Sequence, residues 1–267
     1  QATGGKIKDT DFVIGWVGKD QYRKMVWKFW ELIHYLRYGD YFTCDNCNKV
    51  TLIEFDKQTG SSRPIGKLRM YDPNYDYSYC WHCKFKSGPL NTHGYDVYYE
   101  GKFKKAEPMP NVYGWSHMPY KPDEGWNPNQ LSDIWRIKDN IFMTSNISVN
   151  KGVDVNDLVK LYNAFDIFYC MSGGEGFGLP VLEAMSSQIP VVYSNYSAHA
   201  EIAGDTGVSV NTDFTCEMNS CFDRAHIKTE DAIAKILPLI KNRSLVKDMG
   251  IKARQRAETM TWDIIGK

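Results

Sequence analysis

The chain has 267 residues, 43% apolar and 24% charged, with Lys plus Arg balancing Asp plus Glu at 32 each. That length suits one large domain or two modest ones and excludes a peptide hormone or a mini-protein scaffold. The charge balance gives no overall reason to expect nucleic acid or an anionic membrane as the main partner, so any basic site must be local.

Gln1 to Asp9 is a polar, Gly-containing lead that runs straight into an apolar strand and reads as an excised piece, with further chain expected upstream. Phe12 to Val17 is a short apolar run of strand composition ending at Gly18 and followed by the polar turn Lys19 to Lys24. From Met25 to Tyr38 the residues Val26, Phe29, Trp30, Ile33 and Leu36 recur at helical spacing, and Gly39 closes the pattern as a C′ residue would. Strand, polar turn and helix open a βαβ unit. Tyr95 to Glu100 reads as a further strand, followed by a Pro-, Gly- and Trp-rich loop to about Asn129. Leu131 to Lys138 reads as a short helix, Ile141 to Thr144 as a strand, and Asp154 or Asn156 can cap a helix carrying Leu158, Val159, Leu161 and Tyr162. Ile167 to Met171 and Pro190 to Tyr193 read as strands on either side of a helix from Leu179 to Ser187. Val208 to Val210 reads as a short strand, and Thr229 to Ile240 and Ser244 to Met260 as helices. Strands alternating with helices imply a Rossmann-like parallel sheet with helices on both faces. The longest apolar runs are far shorter than the ~18–20 residues of a membrane helix and no leader opens the chain, so a soluble cytoplasmic protein is expected.

Two Cys pairs interrupt this rhythm. Cys44-Asp-Asn-Cys47 and Cys80-Trp-His-Cys83 are C-x-x-C knuckles separated by 32 residues, which leaves room for a hairpin between them. Four thiolates can meet at one tetrahedral zinc, and Asn48 can take the left-handed conformation such turns often need. Two disulfides or unligated thiols are the alternatives. A four-thiolate site has no open position, so the metal would be structural and residues 43–88 a zinc-ribbon insertion.

Residues 173–185 read Gly-Gly-Glu-Gly-Phe-Gly-Leu-Pro-Val-Leu-Glu-Ala-Met directly after the strand at 167–171. Pro180 suits a first helical turn, so the helix starts near Leu179 and its free N–H groups and positive dipole end face the space above the strand's carboxyl end. Gly176, Phe177, Gly178 and Leu179 then form a diphosphate cradle. Glu175 on the loop suits sugar hydroxyls, and Glu183 one turn inside the helix suits a ribose diol. Alternatively Glu183 is a solvated helix charge and the glycines make only a turn.

The stretch resembles the C-terminal domain of the retaining GT-B glycosyltransferases, the nucleotide-sugar-dependent family that includes bacterial mannosyltransferases and sucrose synthases. Its signature places a Glu, seven residues and a second Glu around E-G-F-G-L-P-x-L-E-A-M, matched by Glu175 and Glu183. The G-x-P-V-V that follows is matched by Gln188 to Val192, with Gln188 at the usual Gly. Glu201 to Gly207 resembles the family's E-I-x-G-D-x-G turn, and Val17 to Lys24 its V-G-R-x-x-x-x-K segment, with Lys19 at the Arg and Lys24 at the Lys. The resemblance implies a donor-binding Rossmann-like domain over residues 12–42 and 89–267, residues 1–11 being lead. It implies a nucleoside-diphosphate sugar as donor, an acceptor that is a glycan, lipid or protein, and a missing N-terminal acceptor-binding domain. Gly18, Lys19, Arg23 and Lys24 would meet the diphosphate, and Lys19, Lys24 and Glu175 would serve catalysis with no catalytic divalent metal. The competing expectation is a non-catalytic module that keeps the fold as an interaction surface. Nucleic acid is not expected. A location peripheral to a membrane is compatible with the reading.

Overall fold

The computed structural model describes residues 5–44, 48–55, 62–64, 103–119, 125–144, 152–217 and 223–265. The first elements are β1 (Phe12–Val17), α1 (Trp27–Tyr38), β2 (Tyr41–Cys44), β3 (Val50–Phe55), β4 (Ser62–Pro64), β5 (Phe103–Lys105), β6 (Val112–His117), α2 (Pro128–Ile134) and β7 (Ile141–Met143). There follow α3 (Val155–Tyr162), β8 (Ile167–Cys170), α4 (Leu179–Ser186), β9 (Val191–Ser194), α5 (Ala198–Ala203) and β10 (Val208–Val210). The chain closes with β11 (Thr212–Glu217), β12 (Asp223–Ile227), α6 (Thr229–Lys241), α7 (Arg243–Ala257) and α8 (Trp262–Ile265).

The chain divides into two compact units, Gln1–Arg37 with Pro110–Lys267, and Tyr38–Met109. The first is built on a six-stranded sheet in the order β10-β9-β8-β1-β6-β7, with the β11-β12 hairpin beside it in the sequence. All pairings in the large sheet are parallel. β1 lies at its centre, in register with β6 from Phe12↔Val112 to Val17↔His117 and with β8 at Ile14↔Ile167. Its six residues are all buried, which is why it reads as an unbroken apolar run. Chain order runs outward one way through β6 and β7, then returns and runs the other way through β8, β9 and β10. The direction reverses between β1 and β8, and ligands of open parallel sheets bind outside the carboxyl ends of strands at such a point.

Helices cover both faces of this sheet. Val13, Val17, Phe168, Val181, Met185 and Ala253 share one apolar cluster that joins β1 and β8 to α4 and α7. On the other face Phe29 and Ile33 of α1 sit so close to Gly114 that a Cβ there would lie 3.0 Å from each. α1 is buried even at polar positions. Lys28 compensates by pairing with Glu31 at 2.9 Å and donating to Thr229 at 2.9 Å, so neither charge of this pair is buried alone.

Three parts of the sequence reading change. β6 lies inside the stretch read as loop up to Asn129, because its alternation of Val112, Gly114 and Ser116 on the buried side is weakly apolar and its pairing with β1 is what makes it a strand. α2 starts three residues earlier than expected, where Asn127 caps the amides of Asn129 and Gln130, and it ends at Ile134 rather than Lys138. α5 and the β11-β12 hairpin carry too little apolar periodicity to be read in advance. The strand read at Tyr95 to Glu100 lies outside the described residues.

The second unit holds an antiparallel sheet in the order β4-β3-β2-β5. Gly39, at φ +66, has no room for a side chain, since a Cβ would lie 2.5 Å from the Ala106 carbonyl oxygen. After β2, Asn48 is left-handed at φ 55 and donates its amide to the Cys44 carbonyl at 2.8 Å. Cys44 itself is buried, whereas Cys47, Cys80 and Cys83 lie outside the described residues.

Candidate active site

Two loops meet at the carboxyl ends of β1 and β8. The first runs from Gly18 through a 3-10 turn at Tyr22–Lys24, and the second from Met171 to Gly178, where α4 begins. Their backbones are joined, the Gly173 amide donating to the Arg23 carbonyl at 2.7 Å. Gly178 precedes α4 at φ +88, a conformation a side chain would strain, and a Cβ there would lie 3.1 Å from His199 Cδ2. A Cβ on Gly176 would meet open space, so the backbone of the loop can be approached from outside.

Glu175 sits between two cations. Arg23 Nη1 lies 2.6 Å from Oε2 and Lys24 Nζ 3.6 Å from Oε1, and the carboxylate is only 11% exposed. Arg23 also donates to the Gly174 carbonyl at 2.9 Å, which holds the guanidinium across the loop. Burial pushes the Glu175 carboxyl up, but Lys24 and Arg23 outweigh it and hold the group below its ordinary value. Gly18 leaves room for the lysine, since a Cβ on it would come 3.1 Å from Lys24 Nζ. Lys19 is exposed on the same turn. A short α4 with its N-terminus above these cations makes the locality attractive to a phosphate.

Glu183 points elsewhere. Its Oε2 accepts the Tyr162 hydroxyl at 2.7 Å, and it borders a groove of about 610 Å³ lined by Val155, Leu158, Leu179, Leu182 and Arg254. Leu179 and Phe177 are about half exposed, at 54% and 45%, apolar side chains held in solvent at the mouth of the helix. Glu175 and Glu183 therefore face different spaces, one ionic and one largely apolar. Tyr162 escaped the sequence reading because its position fits the apolar stripe of α3. Burial and then Glu183 push its hydroxyl pKa well up, so it remains a donor.

Ser194, Ser197 and His199 also escaped it. They lie on the turn from β9 into α5 and contact the loop that carries Glu175. Nothing in their spacing marks them. Among the described residues no group of three or more His, Cys, Asp or Glu is placed to hold a metal ion. No described helix is long and apolar enough to cross a membrane.

Residues 134–256 match the family model described as glycosyl transferases group 1. Over 52 residues the chain is 52% identical to the O-antigen chain mannosyltransferase B of Escherichia coli, a stretch covering 20% of this chain and 14% of that protein. Over 121 residues it is 32% identical to the capsular polysaccharide biosynthesis glycosyltransferase CapM of Staphylococcus aureus, covering 45% of this chain and 28% of that protein. The crystal structure of WaaG, a glycosyltransferase involved in lipopolysaccharide biosynthesis, superposes with a TM-score of 0.54 at 14% identity, covering 98% of this chain and 46% of that one. That likeness is one of fold. The matches span less than half the length of each of these proteins.

Proposed function

We propose that this chain, a group 1 glycosyl transferase segment on a GT-B parallel sheet, is the donor-binding half of a retaining glycosyltransferase. The donor is a nucleoside-diphosphate sugar, and the acceptor, a glycan, lipid or protein, is held by a further domain. The observation that carries the reading is the meeting of Arg23, Lys24 and Glu175 at the β1/β8 reversal, under the N-terminus of α4.

The chemistry follows from charge. Breaking the bond between the sugar's anomeric carbon and the diphosphate oxygen builds negative charge on the departing diphosphate. Lys24 and Arg23, with Lys19 on the same turn, stabilise that charge more in the transition state than in the ground state. Glu175, released from its cations as the diphosphate arrives, accepts hydrogen bonds from the sugar hydroxyls. The acceptor oxygen bonds to the anomeric carbon on the face the diphosphate leaves, and a diphosphate oxygen takes the acceptor's proton. No protein nucleophile is needed for retention by this route. The apolar groove beside Glu183 suits the nucleoside, with the Glu183 oxygen not engaged by Tyr162 open to a ribose hydroxyl.

A structural zinc held by Cys44, Cys47, Cys80 and Cys83 belongs to the same proposal. The buried Cys44 and the left-handed Asn48 fit the first knuckle of such a site. A cytoplasmic location, in solution or peripheral to a membrane, goes with a nucleotide-sugar substrate.

Titration calorimetry of the chain with UDP and GDP tests the reading. One of them should bind, and Lys24→Ala and Glu183→Ala should each weaken it by about tenfold or more, since truncating a charged hydrogen bond costs ~1.5–3 kcal/mol. Unchanged affinity in both variants would sink the assignment.

A further inference from the structure

The segment from Ser172 to Gly178 has no regular secondary structure, yet one turn holds it at three points. That turn joins β9 to α5. Ser194, the last residue of β9, donates its hydroxyl to the Ser172 carbonyl at 2.8 Å. Ser197 accepts from the Glu175 amide at 3.3 Å and donates to the Glu175 carbonyl at 2.7 Å. His199, fully buried in the first turn of α5, fills the space that a side chain on Gly178 would need.

The protons in this cluster can be assigned by counting. Ser194 has one hydroxyl proton, and a carbonyl can only accept it, so the 3.1 Å contact between Ser194 Oγ and His199 Nδ1 must have the imidazole as donor. In the neutral ring Nε2 is then the bare nitrogen. It faces Cys170 Sγ at 3.4 Å, and the thiol supplies the proton of that contact. The ring is neutral. Burial, which lowers its pKa to about 4, agrees with this despite the nearby Glu175.

Ser197 adds an independent sign. Its backbone lies at φ 59 and ψ −153, a region that glycine reaches freely and other residues seldom occupy. A residue kept there in spite of strain needs a compensating interaction, and the two hydrogen bonds to the backbone of Glu175 provide it.

We propose that Ser194, Ser197 and His199 are positioning residues for the nucleotide-sugar donor, forming a three-point clamp on the donor loop. Ser194 fixes its start, Ser197 fixes the backbone from which Glu175 reaches Arg23 and Lys24, and His199 backs Gly178 so that the first amides of α4 face the diphosphate. What the loop holds rests on the donor-binding reading above, whereas the clamp rests on these contacts.

The test uses hydrogen exchange by mass spectrometry on the whole chain, beside thermal midpoints and calorimetry with UDP and GDP. Ser197→Gly relieves the backbone and removes the hydroxyl, so a merely structural serine would give a variant at least as stable with an unchanged loop. The clamp instead requires exchange around Glu175 to quicken by about tenfold or more while the midpoint holds or rises. Affinity for the bound nucleotide should fall by about threefold or more. His199→Asn, whose amide can donate to Ser194 near the Nδ1 position but which lacks the ring atoms beside Gly178, should keep exchange around Ser172 at the unmodified rate and quicken it around Gly178, whereas His199→Gln should quicken it around Ser172. Unmodified exchange around Glu175 in Ser197→Gly, or equal loosening around Ser172 in the Asn and Gln variants, overturns the clamp. If the unmodified chain binds neither UDP nor GDP, the donor reading fails instead, and the exchange rates still decide the clamp.

Discussion

Replacing Glu175 by Gln should tighten the binding of a free nucleoside diphosphate while slowing transfer. The carboxylate holds Arg23 at 2.6 Å and Lys24 at 3.6 Å, the two cations that a diphosphate would need. The ligand must therefore displace an internal anion. A charge-assisted hydrogen bond of this kind contributes ~1.5–3 kcal/mol when well buried. Here Arg23 is 32% exposed, so solvent screens part of that interaction, and about 1 kcal/mol is the reasonable competing share. Glu175→Gln should accordingly bind UDP or GDP about fivefold more tightly by calorimetry at matched ionic strength. The gain should shrink as salt is raised. Transfer in the complete protein should move the other way, falling by roughly 10²-fold, the scale of losing one transition-state contact. A tenfold loss of nucleotide affinity would show that the carboxylate helps hold the diphosphate, and full transfer activity would reduce Glu175 to a loop residue. Either result refutes the competition between carboxylate and ligand.

Gly178→Ala should lower the thermal midpoint by several degrees, because it places a side chain at φ +88 and 3.1 Å from His199 Cδ2, a strain of ~1–3 kcal/mol; an unchanged midpoint would show that the loop yields freely. Two buried groups bend the pH dependence of stability in opposite directions. Burial lowers the His199 pKa to about 4, so its contribution is full above pH 6.5 and is lost as pH falls towards 4. Burial raises the Asp20 pKa to about 6, so its contribution is full at low pH and is lost as pH rises from 3.8 to 6. Asp20→Asn removes the opposing group, and its denaturant-unfolding stability should fall by up to about 3 kcal/mol from pH 6.5 to 4, more steeply than in the unmodified protein; parallel curves for the two proteins would contradict this. Protein purified without added metal should carry about one zinc per chain, and chelation should unfold the segment between Tyr38 and Met109, read as loss of protease resistance there. Metal-free reduced protein, or two disulfides by mass spectrometry, would reject the zinc.

How much of this was legible in the sequence depends on where each signal is generated. β1, β8 and α4 declare themselves locally, the strands by unbroken apolar runs such as Phe12 to Val17 and the helix by Gly178 and Pro180 at its start. β6 does not, because Gly114, Ser116 and His117 become strand residues only beside β1, about a hundred positions away in the sequence. The functional residues divide in the same way. Glu175 and Glu183 stand out by their spacing, and the turn and helix start between them carry them into different spaces. The pairing of Glu183 with Tyr162 required α3 to be packed beside α4, and no local pattern encodes that.

Ser197 is the sharper case. Judged by backbone preference alone, glycine is the better residue at φ 59 and ψ −153, and a sequence with glycine there would look more orthodox. What glycine lacks is the hydroxyl that ties the amide and carbonyl of Glu175. A local rule is broken at one position so that a contact 22 residues away can form, and the break becomes visible only when both ends of that contact are seen together. Departures of this kind are where sequence reasoning fails for a physical cause. Here the failure falls on the loop that presents Glu175 to the two cations.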